Sequence, residues 1–448
     1  MDKGSVFSFY FCLTIILQLI FILLLHNVHP SSLFLMAMTG LVSAGLTSCH
    51  KDEATLPVRH TVLVYMVAQN SLGYRSNSHL SYAQADSAEM VKGLPYIPED
   101  GRVLMYIDDN ELPRIYELTH HTSTPRLVRR WTSDVCSASP ETFGEVLSYV
   151  KSAFPSDDYG LVMWSHADGW LPSTDTTYTR YASPLSFGID SGPGGHMSNK
   201  GAQMNVGDMA RTISETGMHF RFMFFDACLM QNLEVAYALR HATDYVIAAP
   251  IATPGAGSDY TNNIRYGFFS SDPSDIARTY LRDVQDPSYD DPGFGLSISS
   301  IRTDRLQALA DALKEALPHS SLMGRQSPDF NNVLNYQAYL AQYYFRPHNY
   351  DARQALRTIL PEEYFQRVNE ALDEAVAFHG ATDRFWIGPG MWSMQSMPVE
   401  TDDYRSVSLF VPQTVYTTNA PFSVHGDLNE AFRSTEWYRA AGWDVTGW

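Results

Sequence analysis

The stretch FRFMFFDACLMQNLEVAYALR, Phe220 to Arg240, decides how the chain folds. Its first part is apolar at almost every position and then ends in Asp226, Ala227 and Cys228. A strand that is apolar on both faces has to be covered on both faces, which is the habit of a parallel sheet sandwiched by helices. From about Met230 the apolar residues recur at helical spacing, so a helix follows and Cys228 falls in the turn between the two. The same rhythm extends upstream: strand TVLVYMVAQN, helix SYAQADSAEMVKGL and strand GRVLMYIDDN. Ser139 can then cap a helix with Pro140 at its first position, SPETFGEVLSYVKSAFP, before the buried strand YGLVMWSH, which ends at His166. The helix NVGDMARTISET precedes HFRFMFFDA, and the strand DYVIAAP follows it. The pattern predicts an α/β fold built on a parallel sheet.

Between Ala167 and Lys200 the chain is rich in Gly, Ser, Thr, Asp and Pro, which predicts a long flexible loop. It lacks the Lys-Ser/Thr of a phosphate-binding loop. After about Ile301 the pattern is mainly helical, in TDRLQALADALKEAL and PEEYFQRVNEALDEAVAFH, and ends with the strand-like RSVSLFVP and an aromatic-rich tail.

The 448 residues carry a formal charge of −18 with only 31 Lys+Arg and no basic run, which excludes a nucleic-acid partner. Ser5 to Leu25 is uncharged over a length that could cross a bilayer, so it is a targeting or anchoring element. A second apolar run ends at LVSAGLTSC, where Leu46 to Cys49 resemble the lipobox of bacterial lipoprotein signal peptides. HKDE, which follows, resembles the acidic export signal of Bacteroidetes surface lipoproteins. These resemblances make residues 1–48 a leader, Cys49 a lipidation site, residues 49–60 a tether, and the body of the protein extracytoplasmic, held to the outer membrane or cell surface by lipid or by the apolar anchor. Cys136 and Cys228 are then the cysteines of the folded part, too few for a disulfide framework.

In open α/β sheets ligands bind beyond the carboxyl ends of the strands, where both His166 and Cys228 fall. An imidazole and a helix N-terminus both favour a thiolate, so the pair has the parts for acyl transfer. Their local sequences, YGLVMWSHADGW and FFDACLMQNLEVAYAL, resemble the histidine and cysteine motifs of the clostripain family of cysteine peptidases. VYMVAQNSL, TPGAGSDY, SVSLFVP and AAGWD extend the resemblance over most of the chain after the leader.

The resemblance implies a caspase-like three-layer α/β/α sandwich, with a peptidase domain over residues 61–300 and a mainly helical C-terminal region over 301–448 that completes the fold. It implies Cys228 as nucleophile, His166 as general acid, and an oxyanion hole from the backbone N–H groups of Cys228 and Ala167. Ala167 stands where the family usually has glycine. Asp226 would help line a pocket for an Arg or Lys side chain. Pro250, Ile251 and Ala252 replace the acidic residues found nearby in relatives, with Asp259 as a compensating acid or an ordinary helix cap. Arg180, the one Lys or Arg between His166 and Lys200, is the self-cleavage site the resemblance suggests. The chemistry needs no cofactor. Some relatives bind calcium, which is not derivable from this sequence, and no metal-ligand spacing is visible: His120 and His121 lack a second cluster, and the acidic pairs at Asp108, Asp157, Asp290 and Asp402 read as solvated turns. The expected function is therefore an endopeptidase acting on proteins or peptides. The competing expectations are a catalytically weak or inactive peptidase-like surface protein that binds peptides or host proteins, and a membrane-anchored structural domain.

Overall fold

Apolar alternation in the strand His60–Val67 (β1) organises the molecule: Leu63, Tyr65 and Val67 face one hydrophobic core, and Val62, Val64 and Met66 face another. Two buried faces demand two helical layers. The protein is described by a computed structural model over residues 57–74, 80–172, 184–194, 201–290, 293–341, 344–386, 394–396, 403–417 and 427–448. Cys49, Arg180, Asp402 and the Ser5 to Leu25 run lie outside the described residues.

β1 is a middle strand of a nine-stranded sheet. Its parallel centre runs in the order β10 (Tyr245–Ala248), β9 (Phe222–Asp226), β5 (Asp158–Trp164), β1 and β2 (Gly101–Asp108). Antiparallel pairs extend each edge: β3 (Arg114–Leu118) with β4 (Arg126–Arg130) beyond β2, and β11 (Ser297–Arg302) with β14 (Val376–Ala381) beyond β10. One face is covered by α1 (Tyr82–Gly93), α5 (Tyr260–Tyr266) and α6 (Asp275–Gln285), through Met90, Ile264, Ile276 and Tyr280. The other is covered by α2 (Pro140–Ala153), α3 (Val206–Thr216) and α4 (Leu233–Ala238), and by α7 (Leu306–Ala316), α8 (Ala352–Ile359) and α9 (Glu362–Ala375). The helix starts follow the sequence chemistry. Ser139 Oγ accepts the Thr142 N–H at 3.1 Å with Pro140 first in α2, and Ser81 and Gln84 form a capping box on α1.

The described residues from Pro57 onward form one compact unit, and β11 spans residue 300. The region after Ile301 is helical as expected, but it also supplies β14 to the central sheet and the hairpin β12 (Asn335–Ala341)–β13 (Tyr344–Asp351), joined by the short strand Ser408–Leu409.

Two expectations are corrected. The segment after His166 is not one loop: β6 (Ala167–Pro172), β7 (Pro184–Asp190) and β8 (Ala202–Asn205) form an antiparallel sheet. Its apolar positions Trp170, Leu171, Phe187 and Ile189 are buried, a pattern masked in the sequence by the surrounding small polar residues. Asp108 is not a solvated turn residue but fully buried, accepting bonds from Gln69 Nε2 (2.9 Å) and Ser137 Oγ (2.5 Å). Burial raises its carboxyl to about 8, with Asp190 adding repulsion.

Candidate active site

β5 and β9 are hydrogen-bonded neighbours with Trp164 opposite Asp226. His166 and Cys228 each lie two residues past this matched pair, so they leave the sheet at the same level of strands that sit about 4.8 Å apart. β5 ends at Trp164 rather than at His166, because Ser165 Oγ turns inward to the Val67 carbonyl (2.8 Å) and the His166 carbonyl accepts from Gly188 N–H (2.9 Å) on β7. The imidazole is half-buried, with Nε2 3.0 Å from Ser71 Oγ. Asp168, two residues on, lies close enough to the thiol to oppose its ionisation.

Cys228 is a free, half-buried thiol. Thr253 holds it from both ends: its N–H points at Sγ from 3.4 Å and its Oγ1 lies 3.6 Å away. Burial raises the thiol above its ordinary range, the Thr253 contacts oppose that, and Asp168 and Asp226 add to it. Cys136, the other free thiol, is pushed up to about 12 by burial and by Asp190, which suppresses it as a nucleophile.

Two backbone donors stand at this corner. Among the described residues no acceptor takes the Cys228 N–H. The Gly188 N–H to His166 carbonyl bond flanks the Ala167/Phe187 pair, which makes it a non-hydrogen-bonded pair and directs the Ala167 N–H away from β7. Ala167 has no positive φ, whereas Gly169, two residues on, has one (+67°).

Asp226 points its carboxyl at the turn that carries Ser258 and Tyr260. Oδ2 accepts from Ser258 N–H (3.2 Å) and Tyr260 OH (3.1 Å), and burial raises the group to about 6. A Cβ on Gly257 would stand 2.9 Å from that oxygen, so glycine there is what keeps Asp226 close to the wall of the adjoining cleft. This cleft, about 450 Å³, is lined by Asp86, Glu89, Asp259, Asp283, Asp286 and Asp290, with no Lys, Arg or His among its described lining residues. Asp259 also caps α5, accepting the Asn262 N–H at 2.8 Å. Burial raises Glu89 to about 7 and Asp283 to about 6.

The structure thus gathers His166, Ala167 and Cys228 at one corner of the sheet, with Asp226 beside them and Asp259 on the cleft. Thr253 and Ser71 were not foreseen; single hydroxyl residues in turns leave no periodic signal. Among the described residues no group of three or more His, Cys, Asp or Glu could hold a metal ion, and no helix is long and apolar enough to cross a membrane.

The family model described as the clostripain family matches residues 64–366. A secreted C11 cysteine protease from Bacteroides thetaiotaomicron, solved with an irreversible peptide inhibitor, superimposes with a TM-score of 0.69 at 26% identity, covering 86% of this chain and 99% of that one. An inactive zymogen C11 protease from Parabacteroides distasonis gives 0.66 and 26%, with 85% and 97% coverage. A further secreted C11 protease from Bacteroides thetaiotaomicron, iotapain, gives 0.66 at 19% identity over 86% of this chain and 99% of that one, a likeness of fold alone. No curated protein sequence matches the chain.

Proposed function

The chain belongs to the clostripain family of cysteine peptidases, and from that premise we propose that it is an endopeptidase cleaving after Arg or Lys, with Cys228 and His166 as its reacting pair. The observation that carries this is the register that sets both residues at the same level of adjacent strands. In the proposed reaction Cys228 Sγ attacks the scissile carbonyl carbon as its proton passes to His166. The negative oxygen lies against the N–H groups of Cys228 and Ala167. Collapse breaks the C–N bond, His166 returns the proton to the leaving amine, and a thioester remains. Water, deprotonated by His166, then hydrolyses that thioester and regenerates the thiol. Side chains and backbone donors suffice for each step.

Basic specificity is supported by the acidic cleft beside Asp226, where an arginine or lysine side chain would meet several carboxyls, of which Asp283 is already paired with Arg282. Asp226 and Asp259 are the acids assigned to it. Activation by a cut after Arg180 is part of the same reading, in keeping with the inactive zymogen of Parabacteroides distasonis. So is an extracytoplasmic location with lipid on Cys49, in keeping with the secreted relative.

Labelling the full chain with an acyloxymethyl ketone bearing Arg or Lys tests the reading. One equivalent should couple to the parent and none to Cys228→Ala, with an Asp- or Leu-bearing analogue reacting far more slowly. Cys228→Ala should lose turnover by at least about 10³-fold, and His166→Ala by about 10² to 10⁴-fold. Undiminished hydrolysis by Cys228→Ala would discard the mechanism.

A further inference from the structure

Leu229, the residue after the thiol, has φ +64°, one of three positive values at non-glycine residues among the described part of the chain. A side chain in that region costs on the order of 1 kcal/mol, so the surroundings must hold it there. They do so at both peptide groups. Leu229 N–H donates to the Ile251 carbonyl at 2.9 Å, and its carbonyl accepts from Asn232 Nδ2 at 2.7 Å. Asn232 occupies the position that ordinarily caps a helix, at the start of α4, yet its side chain makes no cap bond. It reaches backwards to Leu229 instead, and the same amide donates to Ser408 Oγ at 3.1 Å. Ser408 in turn donates its N–H to the Gln231 carbonyl at 2.9 Å.

The Leu229 carbonyl is also where the histidine segment lies against the cysteine segment. Gly169, three residues after His166, would place a Cβ 2.4 Å from that oxygen and 3.1 Å from Asn232 Nδ2. Three parts of the chain therefore meet at one oxygen: the turn after Cys228, the strand after His166, and the C-terminal strand Ser408–Leu409 through Asn232.

We infer that Asn232 is a positioning residue, which fixes the peptide after Cys228 and with it the placement of the thiol relative to His166, anchored by Ser408. This rests on the assignment of Cys228 and His166 as the reacting pair. The side chain is fully buried and meets no substrate, so its effect must travel through Leu229.

Asn232→Asp keeps the size and loses the amide donor. Measured on an Arg or Lys peptide amide, it should lower kcat by up to about 10²-fold, the cost of an ångström-scale misplacement, with KM changed less than about threefold. Alkylation by iodoacetamide, which needs the thiol alone, should stay within about twofold of the parent. A kcat within twofold of the parent, or a loss matched by an equal loss of folded protein in a thermal melt, overturns the inference. Where Asn232→Asp does not fold, Ser408→Ala removes the anchor and should show a smaller fall in kcat at unchanged KM, about three- to tenfold; an unchanged kcat there overturns it as well. Cys228→Ala run alongside separates the two levels. An inactive Cys228→Ala beside a fully active Asn232→Asp removes only the role of Asn232, whereas an active Cys228→Ala removes the reading beneath it.

Discussion

At the residue scale, the reactivity of Cys228 is a contest between burial, which keeps the thiol protonated, and the two Thr253 contacts, which favour the thiolate. Thr253→Val removes the hydroxyl and leaves the backbone donor. A hydrogen bond to a charged group is worth about 1.5–3 kcal/mol at good geometry, and the 3.6 Å contact lies at the long end for sulfur. The expected result is a fall of up to roughly tenfold in the iodoacetamide rate at neutral pH, with the rate curve displaced to higher pH and Thr253→Ser close to the parent. An unmoved curve would remove Thr253 from the account. His166 and Cys228 were legible in the sequence because strand ends are legible: an apolar run that stops at a polar residue marks the rim of a sheet. Thr253 was not, since AAPIATPG lies in a turn whose path depends on contacts with Cys228 itself. Asp226 was recognised as an acid, but its partners Ser258 and Tyr260 lie more than thirty positions on and are known only from the fold.

At the scale of elements, the parallel core was readable because each central strand is a continuous apolar run and each intervening helix carries its own start signal. The misread parts are those whose pairing partners are remote. β6 and β7 look like loop because small residues interrupt them, and α4 starts at Leu233 rather than at about Met230 because Gln231 and Asn232 pair with Ser408 before the helix can begin. Asn70 binds these elements together. Its amide donates to the Val67 carbonyl (2.9 Å), the Ile189 carbonyl (2.8 Å) and Ser165 Oγ (3.3 Å), while its own oxygen accepts Leu72 N–H (2.9 Å). It thus joins the ends of β1, β5 and β7 at the level of His166. Asn70→Ala would take the side-chain donor from the Ile189 carbonyl and the acceptor from the Leu72 N–H, while the Val67 carbonyl keeps Ser165 Oγ, at a cost of about 1–3 kcal/mol for each group left unpaired. The melting temperature and kcat should fall together, in contrast to Asn232→Asp, where kcat falls further than stability. A variant with an unchanged melt would show that water or a rearranged backbone replaces the amide.

At the scale of the whole molecule, the acidity of the chain reaches into its interior, and this sets how stability responds to pH. Asp108 and Glu234 are raised to about 8, Glu89 to about 7, and Asp226 and Asp283 to about 6, each with burial as the leading cause. In the unfolded chain such groups lose their protons near 4 to 4.5. Between that range and about pH 8 the folded protein therefore binds more protons than the unfolded one, and stability falls as pH rises. The contribution is fully present below about pH 4 and lost by the time pH has passed the folded values, the reverse of an ion-paired carboxylate. Glu234 offers the clearest test, because it is 1% exposed, Oε1 accepts the Phe410 N–H at 3.0 Å, and Oε2 has no hydrogen-bond partner among the described residues. Glu234→Gln can keep the bond to Phe410 and cannot ionise. Melts recorded from pH 5 to pH 8.5, in a Cys228→Ala background so that self-digestion plays no part, should show a falling melting temperature in the parent and a shallower fall in Glu234→Gln. The two curves should differ most above pH 8, where ionised Glu234 would place an unpaired charge between α4 and the C-terminal strand that supports the cysteine turn. Parallel curves would mean that Glu234 is already ionised in the folded protein at neutral pH, and that burial is offset there by a donor supplied from elsewhere.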